Sequence, residues 1–235
     1  MRIVRVKICV IPARGGSKRI PRKNIKEFCG KPMIARSITA AIDSGCFDAV
    51  VVSTDDQEIA EVSMHYGATV PFTRPENLAD DHTGTIPVIQ HAIDWFANQA
   101  QSPDLVCCVY ATAPFVIADD IRAGLAILEE NQCEYAFSVT SYAFPIQRAV
   151  RVMQAGGVEM FQPEHFNTRS QDLEEAYHDA GQFYWGRKSS WMTGKPIFST
   201  SSMPVLLPRH RVQDIDTPED WIRAEWLYRA LQRKS

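Results

Sequence analysis

The chain has 235 residues, 45% hydrophobic and 10% aromatic, with 25 Lys and Arg against 28 Asp and Glu for a net charge of −3. That apolar fraction can fill a globular core and excludes a disordered chain, and the slightly acidic balance argues against non-specific nucleic-acid binding, which calls for a broad basic face. No apolar run approaches the ~20 residues needed to cross a bilayer, and Arg2, Arg5 and Lys7 interrupt the N-terminus where a signal peptide would be uniformly apolar, so a soluble cytoplasmic protein is expected.

Val4 to Ile11 reads as a first strand, followed by a glycine-bearing basic loop. Pro32 opens a helix with Ile34, Ile38 and Ile42 on one face, closed by Gly45. Ala49 to Ser53 is a β-branched strand, and Ile59 and Val62 mark a helix that stops at Gly67. Ala68 to Phe72 reads as a strand, Ile86, Ile89, Ile93 and Phe96 as a helix, Leu105 to Tyr110 as a strand, and Ile121, Leu125 and Leu128 as a helix. This βα alternation predicts an α/β, Rossmann-like fold with a mainly parallel central sheet flanked by helices and ligands at the carboxyl ends of its strands.

From Tyr135 the pattern turns to strands. Ala136 to Thr140 and Ala149 to Val152 are strand-like, Ala155-Gly156-Gly157 can turn a hairpin into Val158 to Phe161, and Gln162 to Ala180 is polar and loop-like before a strand from Gln182 to Trp185. Val212 to Asp216 reads as a last strand. Thr217-Pro218-Glu219-Asp220 then starts a helix, with Thr as the cap, Pro at the first helical position and Asp three residues beyond the cap; Trp221, Ala224, Tyr228 and Leu231 form its core stripe. One domain spanning 1–235, with a β-rich insertion at about 135–180, is expected. The six cysteines (Cys9, Cys29, Cys46, Cys107, Cys108, Cys133) form no C-x-x-C pair and mostly sit in apolar surroundings, as reduced core thiols do.

Chemistry concentrates in two places. From Arg14 to Lys26 there are six cationic residues and no acidic one, around Gly15 and Gly16, in a chain of net negative charge. Glycines just past a strand let backbone N–H groups approach a polyphosphate that cationic side chains neutralise, while the spacing matches neither G-x-x-x-x-G-K-[ST] nor G-x-G-x-x-G. The second place is Asp214 and Asp216. Two residues apart on an extended chain they point to one side, so both carboxylates can reach one hard cation, although Asp214 could equally cap the following turn.

The order P-A-R-x-x-S-K-x-x-P-x-K-N from Pro12 to Asn24 resembles the N-acylneuraminate (sialic acid) cytidylyltransferases, which join CTP to a nine-carbon 2-keto acid sugar and release pyrophosphate. The resemblance continues through Ser53-Thr54-Asp55-Asp56, Arg74-Pro75-Glu76-Asn77-Leu78-Ala79-Asp80, Thr112-Ala113-Pro114, Arg169-Ser170-Gln171-Asp172 and Asp214-Ile215-Asp216-Thr217-Pro218-Glu219-Asp220. Within that family, Tyr177 to Gly186 looks most like the pseudaminic acid cytidylyltransferases.

The resemblance implies a CTP site at Arg14, Ser17, Lys18, Lys23 and Asn24, with Arg14 and Lys23 supplying fixed charge for catalysis. It also implies Arg74 near the base, Thr83 and Thr85 at the nucleoside, and Mg²⁺ held by Asp214 and Asp216. For the acidic sugar it implies Arg169, Gln171 and Tyr184, and a homodimer in which the central insertion reaches a second subunit. Two departures bear on the sugar. Tyr110-Ala111-Thr112-Ala113-Pro114 stands where the sialic acid enzymes usually have Gln-Pro-Thr-Ser-Pro, and His178 where they often carry an arginine, which adds Tyr110, Thr112 and His178 to the sugar-contact candidates. N-acetylneuraminic and legionaminic acid are the alternative sugars. A non-catalytic nucleotide-binding regulator is the alternative class, and it would be expected to lose Lys23 or the aspartate pair.

Overall fold

Val4 and Arg2 lie outside residues 5–233, which a computed structural model describes. The elements in chain order are β1 (Lys7–Pro12), β2 (Glu27–Phe28), β3 (Lys31–Pro32), α1 (Met33–Ser44), β4 (Ala49–Ser53), α2 (Gln57–His65), α3 (Thr85–Asn98), β5 (Leu105–Val109) and α4 (Ala118–Glu130). They continue with β6 (Tyr135–Ser141), β7 (Val150–Val152), β8 (Val158–Met160), β9 (Tyr177–Arg187), α5 (Lys188–Met192), β10 (Ser202–Leu206) and α6 (Pro218–Gln232).

Six strands form one sheet in the order β10-β6-β9-β5-β1-β4. β1 runs parallel to β4 and β5, β10 runs parallel to β6, and β9 alone is antiparallel to its neighbours β5 and β6. Ile8, Cys9, Val10 and Ile11 are all fully buried, as expected of a strand covered on both faces. Cys9, Ile11, Ile34, Ile38, Ile59, Ile121 and Leu128 pack on the face covered by α1, α2 and α4, while Ile8, Val10, Ile89, Ile93, Phe96 and Trp191 pack on the face covered by α3 and α5. A third cluster joins Ile20 of the basic loop, Phe28, Met33, Phe115 and Ile215 to Trp221 and Ala224 of α6. It fixes the basic loop against the segment that carries the two aspartates.

The helix boundaries follow from local chemistry. Gly45 ends α1 in the left-handed conformation (φ 63°), its N–H bonded to the Ile42 carbonyl, a geometry that favours a residue without Cβ. Thr217 and Asp220 form a reciprocal capping box at α6, with Pro218 at its first position. The turn through Gly156 and Gly157, both near φ +84°, joins β7 to β8 as the sequence predicts. Five cysteines are buried in the core. No helix among the described residues is long and apolar enough to cross a membrane.

Three expectations are corrected. Ala68–Phe72 forms only isolated bridges, Val51 to Thr69 and Thr54 to Thr73, because Pro71 between them has no N–H for a continuous ladder. Val212–Asp216 is extended but unpaired; its alternation reflects Ile215 entering the third cluster, while the sixth strand is Ser202–Leu206, at the sheet edge. The strand expected at Gln182–Trp185 is longer, from Tyr177 to Arg187, with an irregular register between Phe137 and Val139 opposite it.

Candidate active site

The carboxyl ends of β1, β4 and β5 meet where the sheet order reverses around β1, the place where open α/β sheets bind ligands. A cavity of about 300 Å³ opens there. Its wall gathers Arg14, Ser17, Lys18, Lys23 and Asn24 from the basic loop, Arg74, Thr83 and Thr85 from the segment leading into α3, Tyr110 and Thr112 beyond β5, and Asp216. Every nucleotide-binding candidate named from the sequence therefore lines one cleft.

Tertiary bonds fix these groups. Lys23 Nζ donates to the Ile215 carbonyl (2.6 Å) and lies 3.6 Å from Asp216 Oδ1, and Asn24 Nδ2 donates to the Arg14 carbonyl (2.9 Å). Arg74 is only 4% exposed; its Nε donates to Ser53 Oγ (3.1 Å) and NH2 to the Ser53 carbonyl, and burial pushes its pKa down to about 10. α3 begins at Thr85 after Gly84, which offers no side-chain cap, so the helix's first N–H groups are free to meet an anion in the cleft.

Sequence reasoning missed Asp81 and counted Arg19 only as one of the basic loop's cations, without a role of its own. Asp81 bridges two loop cations, accepting from Arg14 NH1 (2.6 Å) and Lys18 Nζ, which hold its carboxyl below the usual carboxylate range. Arg19 NH2 pairs with Asp216 Oδ1 at 3.0 Å. The motif Arg74 to Asp80 stops one residue short of Asp81, and nothing local reveals that an acid there meets a loop more than sixty residues earlier.

The aspartate pair divides. Asp216 faces the cleft and Asp214 sits beside it, its carboxyl raised first by partial burial and then by the charge of Asp216. Two hard oxygen donors flanking a buried isoleucine suit a hard divalent ion that takes its remaining ligands from water and phosphate. Among the described residues no group of three or more His, Cys, Asp or Glu is gathered for a transition metal.

The sugar candidates are not brought together. Tyr110 lines the cleft, its hydroxyl 2.9 Å from Thr85 Oγ1. Tyr184 lies behind it, ring centroids 5.2 Å apart, buried and donating to Asp179 Oδ2, so it reaches the cleft through Tyr110. His178 packs on Tyr142 (4.8 Å) with Nδ1 2.8 Å from the Asp179 carbonyl. Arg169 is exposed in the insertion and bonds Asp172 through Nε (2.7 Å), with Gln171 in the same turn; neither lines this chain's cleft.

Residues 8–217 match the Cytidylyltransferase family. The chain is 48% identical over 222 residues to a pseudaminic acid cytidylyltransferase of Campylobacter jejuni serotype O:2, covering 94% of this chain and 96% of that one. It is 34% identical over 227 residues to a CMP-N,N'-diacetyllegionaminic acid synthase of Legionella pneumophila, covering 94% and 95%. Among solved structures, a CMP:2-keto-3-deoxy-manno-octonic acid synthetase complexed with CTP shares the fold at a TM-score of 0.68 and 17% identity, covering 96% of this chain and 99% of that one. With its basic loop and Asp216 lining one cleft and residues 8–217 matching the family, the chain belongs to the cytidylyltransferase family.

Proposed function

We propose that the chain transfers CMP from CTP to the anomeric 2-hydroxyl of pseudaminic acid, releasing pyrophosphate. The observation that carries the acceptor is the 48% identity to the C. jejuni pseudaminic acid enzyme over nearly the whole length of both chains, against 34% for the legionaminic acid synthase. The sugar oxygen attacks the α-phosphorus as the bond to the β-phosphate breaks, a reaction served by fixed positive charge and in-line alignment.

Arg14, Lys18 and Lys23 hold the triphosphate, the start of α3 and Arg74 hold the nucleoside, and Tyr110 shapes the sugar side. Asp214 and Asp216 would hold Mg²⁺, which when bound adds positive charge at the reacting phosphate and favours loss of the hydroxyl proton. We read the chain as one domain with an insertion at about 135–180, acting in the cytoplasm where CTP is made available. The insertion supports a homodimer: Phe144, Val152, Val158, Phe161 and Phe166 expose apolar side chains there, and Arg169 and Gln171 do not line this chain's own cleft.

Pyrophosphate release from CTP is measured with pure pseudaminic, legionaminic and N-acetylneuraminic acids. The highest kcat/KM is expected for pseudaminic acid. A higher value for another sugar overturns the acceptor, and no release with any of the three overturns the reaction.

A further inference from the structure

Arg22 belongs to the basic loop yet does not line the cleft, unlike Arg14, Lys18, Arg19 and Lys23. Its guanidinium turns outward onto the first turn of α2. NH1 donates to Asp56 Oδ2, NH2 to Asp56 Oδ1 (2.9 Å) and to Glu58, a forked geometry that holds far better than a single surface contact. The pairing lowers the Asp56 carboxyl from its usual value. Two acids thus neutralise Arg22, leaving it little field to exert on a phosphate.

The same turn of α2 holds the other end of the loop. Gly15 N–H donates to Asp55 Oδ1 (3.0 Å), and a Cβ at Gly15 would stand 2.7 Å from Asp56 Oδ2, so this carboxylate packs directly against the loop's first glycine. Arg22 itself takes a left-handed backbone (φ 55°), unfavourable for a residue with a Cβ and in need of support from its surroundings. In that conformation its carbonyl accepts from Ile25 N–H (3.0 Å) and Lys26 N–H (2.9 Å), closing a turn whose interior residues are Lys23 and Asn24. Those two residues line the cleft, which Arg22 does not.

We propose that Arg22 is a positioning residue: clamped by Asp56, it sets the turn that aims Lys23 and Asn24 at the triphosphate, and it does not touch the nucleotide. The proposal rests on the CTP reading of the cleft. Asn at position 56 keeps a side-chain acceptor for the Ile59 N–H that caps α2 (3.0 Å) while removing the charge that holds Arg22, so the clamp can be broken without uncapping the helix.

Arg22→Gln, Asp56→Asn and the double variant are compared in steady state and by calorimetric CTP affinity. Each single change is expected to weaken CTP (KM and Kd) about tenfold, with kcat and the sugar KM within about twofold, and the double variant no worse than the poorer single one, because both break the same link. Arg22→Lys, which keeps one charged contact, should recover part of the loss. If Arg22→Gln weakens CTP while Asp56→Asn does not, or if the two losses multiply, Arg22 acts on the nucleotide directly and the proposal fails. Unchanged CTP affinity in all variants also overturns it. Because calorimetry needs no turnover, failure of the acceptor assignment would leave this test intact.

Discussion

Lys23 donates to the main-chain carbonyl of Ile215 at 2.6 Å, joining the basic loop to the peptide between the two aspartates. One ammonium thereby registers the two halves of the site, with Ile20 and Ile215 packed in one apolar cluster. Lys23→Ala is expected to lower kcat/KM for CTP on the order of 10²-fold whichever sugar is offered, since every productive complex contains the phosphates. A variant that reorders sugar preference while CTP kinetics hold would assign the loop to the sugar instead.

Asp216→Asn should leave folding intact and reduce turnover about 10²- to 10³-fold at saturating Mg²⁺, because a charged oxygen donor is lost at the cleft wall while Ile215 stays buried. The thermal transition is measured alongside. Near-normal activity in a normally melting protein would remove Asp216 from the metal.

How much of this was legible in the sequence differs by element. α1 and α6 were readable because their signals are local: an apolar stripe, a glycine stop and a capping box all act within a few residues. Ser202–Leu206 was not, because Pro204 reads as a strand breaker and is tolerated here only on the edge strand β10. The basic loop announced an anion through its charge, whereas the outward turn of Arg22 and the inward reach of Asp81 depend on α2 and on the segment after Arg74, which only the tertiary fold brings near. The resemblance supplied Arg169 and Gln171, and that neither lines this chain's cleft depends on the tertiary placement of the insertion, which no local pattern encodes.

Asp81 occupies Arg14 and Lys18, the cations that the proposed function assigns to the triphosphate. Its carboxylate bridges Arg14 and Lys18, so phosphate binding must break both contacts. Asp81→Asn is expected to tighten inorganic pyrophosphate binding about three- to tenfold and to increase the salt sensitivity of that binding. Weaker binding would mean that the carboxylate orients the two cations rather than competing for them.

His91 is expected to make the fold less stable in acid. It lies partly buried, edge-on to Phe72 at 4.8 Å with Nδ1 unpaired; burial first, then Arg74, lowers its pKa from the ordinary value, partly opposed by Asp94. A group with a folded pKa below its unfolded one binds its proton preferentially in the unfolded chain. Stability from this group is therefore fully present above about pH 6.5 and is lost as pH falls from there toward the folded pKa. His91→Leu should flatten the pH dependence of the melting temperature in that window. An unchanged slope would assign the acid sensitivity to other groups.

Sugar choice separates the two departures from the sialic acid pattern. Tyr110 lines the cleft, braced by Thr85 in front and by Tyr184 and Asp179 behind, so its ring is a fixed wall. A rigid wall with a placed hydroxyl can reject a mismatched substituent pattern by orders of magnitude, because buried polar groups are left unpaired. His178 instead packs on Tyr142, outside the cleft. Tyr110→Ala is expected to reduce the kcat/KM ratio of pseudaminic to N-acetylneuraminic acid by at least about tenfold with little change in the KM for CTP. His178→Ala should shift the same ratio less. If His178→Ala has the larger effect, the sugar is recognised along β9, through a surface that a second subunit would complete, and the wall at Tyr110 is secondary.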